Sequence, residues 1–196
     1  MKKHLIFTLT VISVLFISCE KKSAIKNDEI SCRKLEGNWT IQTKTEFNIE
    51  SQSDEIQSPF ILANAVALTT TTLSLNPDPE LKENKYTLTI NQNLDSFTPL
   101  KDNPAIEEKD LSSQIEKSIV ISGIFFANNT YLQLCGEKVS INSEAPVDFD
   151  QAVNLDNAIG NKITNLFWFI QDNKLNLTEI ENPENKITYI KDWFLN

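Results

Sequence analysis

The chain of 196 residues contains few of the side chains that bind phosphate or nucleic acid. It has a single arginine, Arg33, so a clamp that grips a phosphate or carboxylate with two arginines is excluded. The 18 Lys and Arg residues stand against 27 Asp and Glu residues, which leaves a formal net charge of −9. General affinity for nucleic acid needs clustered positive charge, so we expect no nucleic-acid partner.

Histidine is equally scarce, because the single one, His4, lies in an N-terminal segment that we expect to be removed. Without it the chain cannot assemble a Ser-His-Asp or Cys-His site, and a transition-metal site loses its commonest ligand. The carboxylates between Asp148 and Asp156 lack the spacing of an EF-hand loop. Paired carboxylates of the glycosidase type stay open, although no motif indicates them. We therefore expect a protein that is not an enzyme and that has no metal site and no cofactor.

The N-terminus combines a basic start with a short apolar run. Lys2 and Lys3 precede Leu5–Ile17, which is too short to cross a bilayer as a stable helix. A basic start, an apolar stretch of this length and a small residue before the cut are typical of a secretory signal peptide. The boundary Leu15-Phe16-Ile17-Ser18-Cys19 resembles the lipobox of bacterial lipoproteins.

The lipobox resemblance implies that residues 1–18 are a cleaved signal peptide and that Cys19 carries lipid. In that family the cysteine thiol receives a diacylglycerol and the new amine is usually acylated, for example with palmitate. Two or three chains hold a protein firmly on a membrane. Glu20 stands where an aspartate would favour inner-membrane retention, so the resemblance implies the outer membrane, with the leaflet open. An uncleaved anchor, or an ordinary signal peptide with a chance cysteine, is the alternative.

The remaining chain divides into a tether and a single domain. Residues 19–34 are predicted to form the lipidated cysteine and a flexible linker, because Glu20–Ser31 is polar and has no apolar stripe. Residues 35–196 are predicted to form the folded domain. The lipid would leave Cys32 and Cys135 as an even pair in an oxidising compartment. They predict either a Cys32–Cys135 disulfide or two buried free thiols, and no catalytic cysteine.

Alternating apolar and polar residues predict an all-β domain with one to three short helices. The alternation is cleanest in Leu35–Phe47 and recurs in residues 85–91, 118–127, 131–135, 163–171, 175–180 and 187–193. The last three segments predict an antiparallel meander, and Asn128-Asn129 predicts a tight turn. Helices are expected after Pro59, in residues 103–117 and in residues 148–163.

The first of these strands carries a further resemblance. Leu35-Glu36-Gly37-Asn38-Trp39 places a leucine two residues before a G-x-W motif, just after the predicted tether. This arrangement resembles the lipocalin-like domains of lipoproteins of Bacteroidota, which implies a closed antiparallel barrel. It also implies that Trp39 packs over the barrel floor beneath a basic side chain, for which Lys186 and Lys191 are the candidates. A β-sandwich is the alternative fold.

The interior of an eight-stranded barrel is either filled by side chains or holds one small ligand. The aromatic residues that we expect to line such a cavity are Trp39, Phe47, Tyr86, Phe125, Tyr131, Phe167, Phe169 and Tyr189. They predict a membrane-anchored lipoprotein whose barrel binds a small apolar ligand, such as a lipid or a pigment. The alternative is a filled barrel that docks a basic protein partner, as an envelope-complex subunit or a toxin-neutralising protein would.

Overall fold

The computed structural model describes residues 25–50, 61–80, 83–99, 115–152 and 161–192, without the side chains of residues 47–50, 61–62 and 99. These residues form a closed eight-stranded antiparallel β-barrel with two short helices. The elements in chain order are α1 (Glu29–Leu35), β1 (Gly37–Glu50), β2 (Ile61–Asn76), β3 (Lys85–Pro99), β4 (Lys117–Ala127), β5 (Tyr131–Ile141), β6 (Val147–Asp148), α2 (Phe149–Ala152), β7 (Ile163–Gln171), β8 (Lys174–Glu179) and β9 (Lys186–Lys191).

Neighbouring strands pair in chain order around the barrel. Strands β1 to β5 form one antiparallel run, and β7, β8 and β9 continue it from β5. The barrel closes where β1 meets β9, with Trp39 opposite Lys191 and Thr40 opposite Ile190. The prediction of an antiparallel lipocalin-like barrel is therefore confirmed, together with the C-terminal three-strand meander, and the sandwich alternative is wrong.

The helices differ from the prediction. From residue 61 onward, the segment expected to be helical after Pro59 is strand β2. Ala63, Ala65 and Ala67 are buried in alternation, and the threonines that follow have β-branched side chains that favour extended structure. In the third segment only Phe149–Ala152 is helical within the described residues. Of the helix expected in residues 103–117, residues 103–114 lie outside the described residues.

The folded domain begins earlier than the tether prediction allowed, because residues 25–34 pack on one end of the barrel. Asp28 caps α1, and its carboxylate accepts a hydrogen bond from the Ser31 amide at 3.0 Å. The Asn27 side-chain oxygen accepts a hydrogen bond from the Ala127 amide at 3.1 Å. The Asp28 amide donates to the Ala127 carbonyl oxygen at 2.8 Å. These contacts join α1 to the end of β4.

Cys32 is a buried free thiol, so the predicted bridge to Cys135 is not formed in this structure. The Cys32 thiol donates to the carbonyl oxygen of Ala127 at 3.9 Å and accepts from the Asn84 side chain at 3.5 Å. Burial raises the pKa of the Cys32 thiol, which lowers its reactivity.

Trp39 closes the end of the barrel that carries α1. Its side chain is 1% exposed, and its indole nitrogen donates to the Leu35 carbonyl oxygen at 2.8 Å. The Lys191 ammonium lies 5.0 Å from the centre of the ring, so Lys191 supplies the expected basic side chain. Gly37 has φ of +120°, and a Cβ there would lie 3.1 Å from the Lys191 Cε. The glycine of G-x-W therefore makes room for the lysine that covers the tryptophan.

Candidate functional site

The barrel interior contains a cavity of about 510 Å³. Its wall is apolar and is built by side chains from seven different strands, namely Leu73, Leu88, Ile121, Leu134, Leu166, Leu177 and Ile187. Strand β9 runs from Lys186, which lines the cavity, to Lys191, which covers the Trp39 floor. The closed end of the cavity therefore lies toward Trp39, and its mouth lies at the β8–β9 connection.

Two of the four glycines make room for aromatic rings in the cavity wall. A Cβ on Gly136 would lie 2.4 Å from the ring of Phe149, so this ring sits directly against the backbone of β5. A Cβ on Gly123 would lie 3.0 Å from the ring of Tyr86 and 2.0 Å from the carbonyl oxygen of Cys135. The rings of Phe149 and Tyr86 reach the cavity only because both positions lack a side chain.

The closed end of the cavity contains two buried phenol groups. Tyr86 and Tyr189 are 4% and 5% exposed, and both line the cavity. Within the described residues neither hydroxyl has a hydrogen-bond partner. Burial raises the pKa of Tyr189 to about 12. Burial, together with the negative charge of Glu137, also raises the pKa of Tyr86. Both side chains are therefore neutral hydrogen-bond donors at physiological pH.

The mouth of the cavity is polar and carries more negative than positive charge. Glu179, Glu184 and Lys186 line it together with Asn161 and Asn185. The Asn185 side-chain nitrogen donates to the Glu179 carboxylate at 2.9 Å and holds it at the rim. A ligand would pass an acidic rim before it meets the apolar wall.

Of the seven predicted cavity residues whose side chains the structure describes, Tyr86 and Tyr189 line the cavity. Trp39 and Phe125 are buried, but they belong to the packed core around the cavity. The prediction is wrong for three residues that are exposed on the outer face of the barrel, Tyr131, Phe167 and Phe169. The side chain of Phe47 lies outside the described residues. Phe149 and the aliphatic residues of the wall also line the cavity, although they were not predicted to do so. For the aliphatic residues, the period-two alternation was the available signal.

The outward-facing aromatic residues form a small apolar patch on β5 and β7. Tyr131 and Phe167 are opposite each other in the sheet, with ring centres 5.1 Å apart. Phe169 lies next to them on β7 and is 54% exposed. The inner face of β7 presents Leu166 and Trp168, which are buried. This patch lies outside the cavity.

The two buried phenols predict a stability loss at high pH. A folded-state pKa above the ordinary value of 10.0 means that the folded chain favours the neutral phenol. Its contribution is complete below about pH 10 and is lost as the pH rises toward the pKa of Tyr189, about 12. In a Tyr131→Phe variant, which keeps only the two buried tyrosines, we expect no tyrosinate absorbance near pH 10 and its appearance together with unfolding near pH 12. Tyrosinate absorbance near pH 10 in the folded protein would contradict this.

The described part of the chain contains no group of three or more His, Cys, Asp or Glu side chains placed to hold a metal ion. None of its helices combines the length and the apolar character needed to span a bilayer. Comparison with protein-family models, with curated proteins and with solved structures gives no match for this chain.

Proposed function

We propose that this protein binds one small apolar molecule inside its barrel and acts by binding, not by catalysis. The observation that carries the proposal is the cavity of about 510 Å³ with an apolar wall and a few polar groups at each end. Small-molecule sites in proteins commonly measure about 300–1,000 Å³ and have this composition. Each Å² of apolar ligand surface that is transferred from water into this cavity contributes about 25 cal/mol to the binding free energy.

The proposal includes attachment to the outer membrane through lipid on Cys19, which follows from the lipobox resemblance. Residues 25–28 contact the closed end of the barrel, through Asn27 and Asp28. The six residues from 19 to 24 span at most about 20 Å when fully extended. The closed end would thus be held near the membrane, and the mouth would face away from it. A Cys19→Ser variant should then leave the membrane pellet, and its retention there would count against the anchor.

A second candidate function is the docking of a protein partner on the outer face. The patch of Tyr131, Phe167 and Phe169 favours it, because these rings are exposed. A basic partner would match the net charge of −9. The open cavity favours ligand binding over this alternative, since the docking hypothesis assumed a filled barrel.

The ligand proposal is tested by filling the cavity. Leu88 faces the cavity, and its neighbour Thr89 faces the outside of the same strand, β3. In the full chain carrying Cys19→Ser, we expect Nile red, an uncharged apolar dye, to bind saturably with enhanced fluorescence. Leu88→Trp should weaken its binding at least about tenfold, or about 1.4 kcal/mol, because the indole occupies the cavity. The matched Thr89→Trp variant should bind like the parent protein.

Thermal unfolding of both variants establishes that they are folded before the titrations are compared. Equal binding by the parent protein and a folded Leu88→Trp variant would place the dye outside the barrel. Absence of saturable binding to the parent protein would also refute the proposal.

A further inference from the structure

The two phenols at the closed end of the cavity have no partner within the described protein. Tyr86 lies near the start of β3 and Tyr189 lies near the end of β9, so both residues line the cavity on the side of Trp39. Within the described residues, neither hydroxyl oxygen is among the fully buried atoms that lack a partner, so each is accessible from the cavity that both residues line. A ligand that fills the cavity would shield these donors from water, and a shielded hydroxyl without a hydrogen bond costs about 1–3 kcal/mol. The site is therefore suited to a ligand that supplies an acceptor.

We infer that the ligand is an elongated neutral molecule whose carbonyl or hydroxyl oxygen lies at the closed end and accepts hydrogen bonds from Tyr86 and Tyr189. The inference rests on the proposed function and narrows it to one ligand class. A carbonyl oxygen has two lone pairs and can accept from both phenols at once. The apolar remainder of the ligand would lie along the aliphatic wall toward the mouth.

Charge in and around the cavity excludes an anionic head group at the closed end. Lys191 lies over the Trp39 ring and does not line the cavity. Lys186 lies at the opposite end of β9, at the mouth beside Glu179 and Glu184. A carboxylate at the closed end would lose its hydration without gaining a cationic partner, which is strongly unfavourable. Burial raises the pKa of Tyr189 because it disfavours the charged form of the side chain. The same loss of hydration would disfavour the charged form of a ligand carboxylate.

The acidic rim adds a second filter against anions. Glu179 and Glu184 both line the mouth, with Lys186 as the cation among them. An anionic head group that remained at the mouth would be repelled by the surplus of negative charge there. A head group that entered the cavity ahead of the apolar chain would have to move past the same charges. Neutral molecules meet neither penalty.

The test compares three ligands of equal chain length that differ only at one end, namely dodecane, dodecan-2-one and dodecanoate. Each displaces Nile red from the full chain carrying Cys19→Ser, at concentrations below those at which the ligand aggregates. The same titrations are made with Tyr86→Phe, with Tyr189→Phe and with the double variant. Tyr131→Phe is the matched control, because its hydroxyl lies on the outer face of the barrel.

We expect the ratio of ketone affinity to alkane affinity to fall about tenfold from the parent protein to the double Phe variant. The alkane affinity itself should stay the same or rise, because the rings remain and two unpartnered hydroxyls are removed. The Tyr131→Phe control should keep the parent ratio. Dodecanoate should bind more weakly than the ketone to the parent protein.

The outcomes separate the inference from the proposed function. An unchanged ketone-to-alkane ratio in the double variant, with both ligands displacing the dye, would overturn the inference and leave the apolar site intact. Dodecanoate binding as tightly as the ketone would overturn the exclusion of anions. Failure of every ligand to displace the dye would instead count against the proposed function itself.

Discussion

Truncation of Trp39 to alanine should lower the free energy of unfolding by about 3–5 kcal/mol, the usual cost of removing a fully buried aromatic ring. The ring is 1% exposed and forms the floor of the barrel between α1 and Lys191. The substitution also removes the hydrogen bond to the Leu35 carbonyl oxygen. Urea unfolding followed by far-UV circular dichroism measures the loss.

The control for this variant is Phe169→Ala, which removes an aromatic ring from the outer face of β7, where it is 54% exposed. We expect Phe169→Ala to cost less than about 1 kcal/mol. A Trp39→Ala loss as small as that of the control would mean that Trp39 does not form the floor.

Gly123→Ala should be the second strongly destabilising change, with a loss of at least about 3 kcal/mol. The new Cβ would lie 2.0 Å from the carbonyl oxygen of Cys135, so the backbone of β4 or β5 must shift. Movement of these paired strands disturbs the Tyr86 ring, which also contacts this position at 3.0 Å. Urea unfolding again provides the measurement.

Gly136→Ala provides the matched comparison, because its new Cβ would clash with a side chain and not with backbone. The Phe149 ring lies 2.4 Å from that Cβ and belongs to the four-residue helix α2, which is free to adjust more than a paired strand. We expect a smaller loss of stability, about 1–3 kcal/mol, together with altered Nile red binding. Equal losses of stability for the two variants would contradict the expectation that a clash with backbone costs more than a clash with a side chain.

Much of the fold could be predicted from local sequence patterns. The alternation in Leu35–Phe47 and in the three C-terminal segments corresponds to strands β1, β7, β8 and β9 to within three residues at each end. Turns also form at residue types that tolerate positive φ, since Asp172 and Asn173 have φ of 52° and 59°. The Asn128 side chain forms its turn differently, by accepting hydrogen bonds from the amides of Thr130 and Tyr131. These strands and turns could be predicted because the residues that form the local pattern also make the contacts that stabilise the element.

The wrong predictions fall in segments whose sequence is compatible with two local structures or two orientations. In these segments, tertiary contacts determine which one forms. Strand β7 is apolar on both faces, so its sequence does not say which face points inward. Pairing of Phe167 with Tyr131 places one face outside, and burial of Trp168 places the other inside. In β2 the alanines suit a helix and a tightly packed strand alike.

The cavity itself was expected only as one of two outcomes. Its wall takes single residues from seven strands, and whether such side chains meet or leave a space depends on barrel geometry. The phenols of Tyr86 and Tyr189 were identified as lining residues because they alternate correctly in strands with one polar face. Their lack of hydrogen-bond partners required the structure.

Mass spectrometry of the protein purified from its own host tests whether the barrel carries a molecule. Under native conditions the parent protein should be heavier than under denaturing conditions by the mass of one neutral organic molecule, because covalent lipid remains in both spectra. The folded Leu88→Trp variant should lose this difference, and Thr89→Trp should keep it. Identical native and denatured masses for the parent protein, or a difference that survives in Leu88→Trp, would contradict a ligand in the cavity.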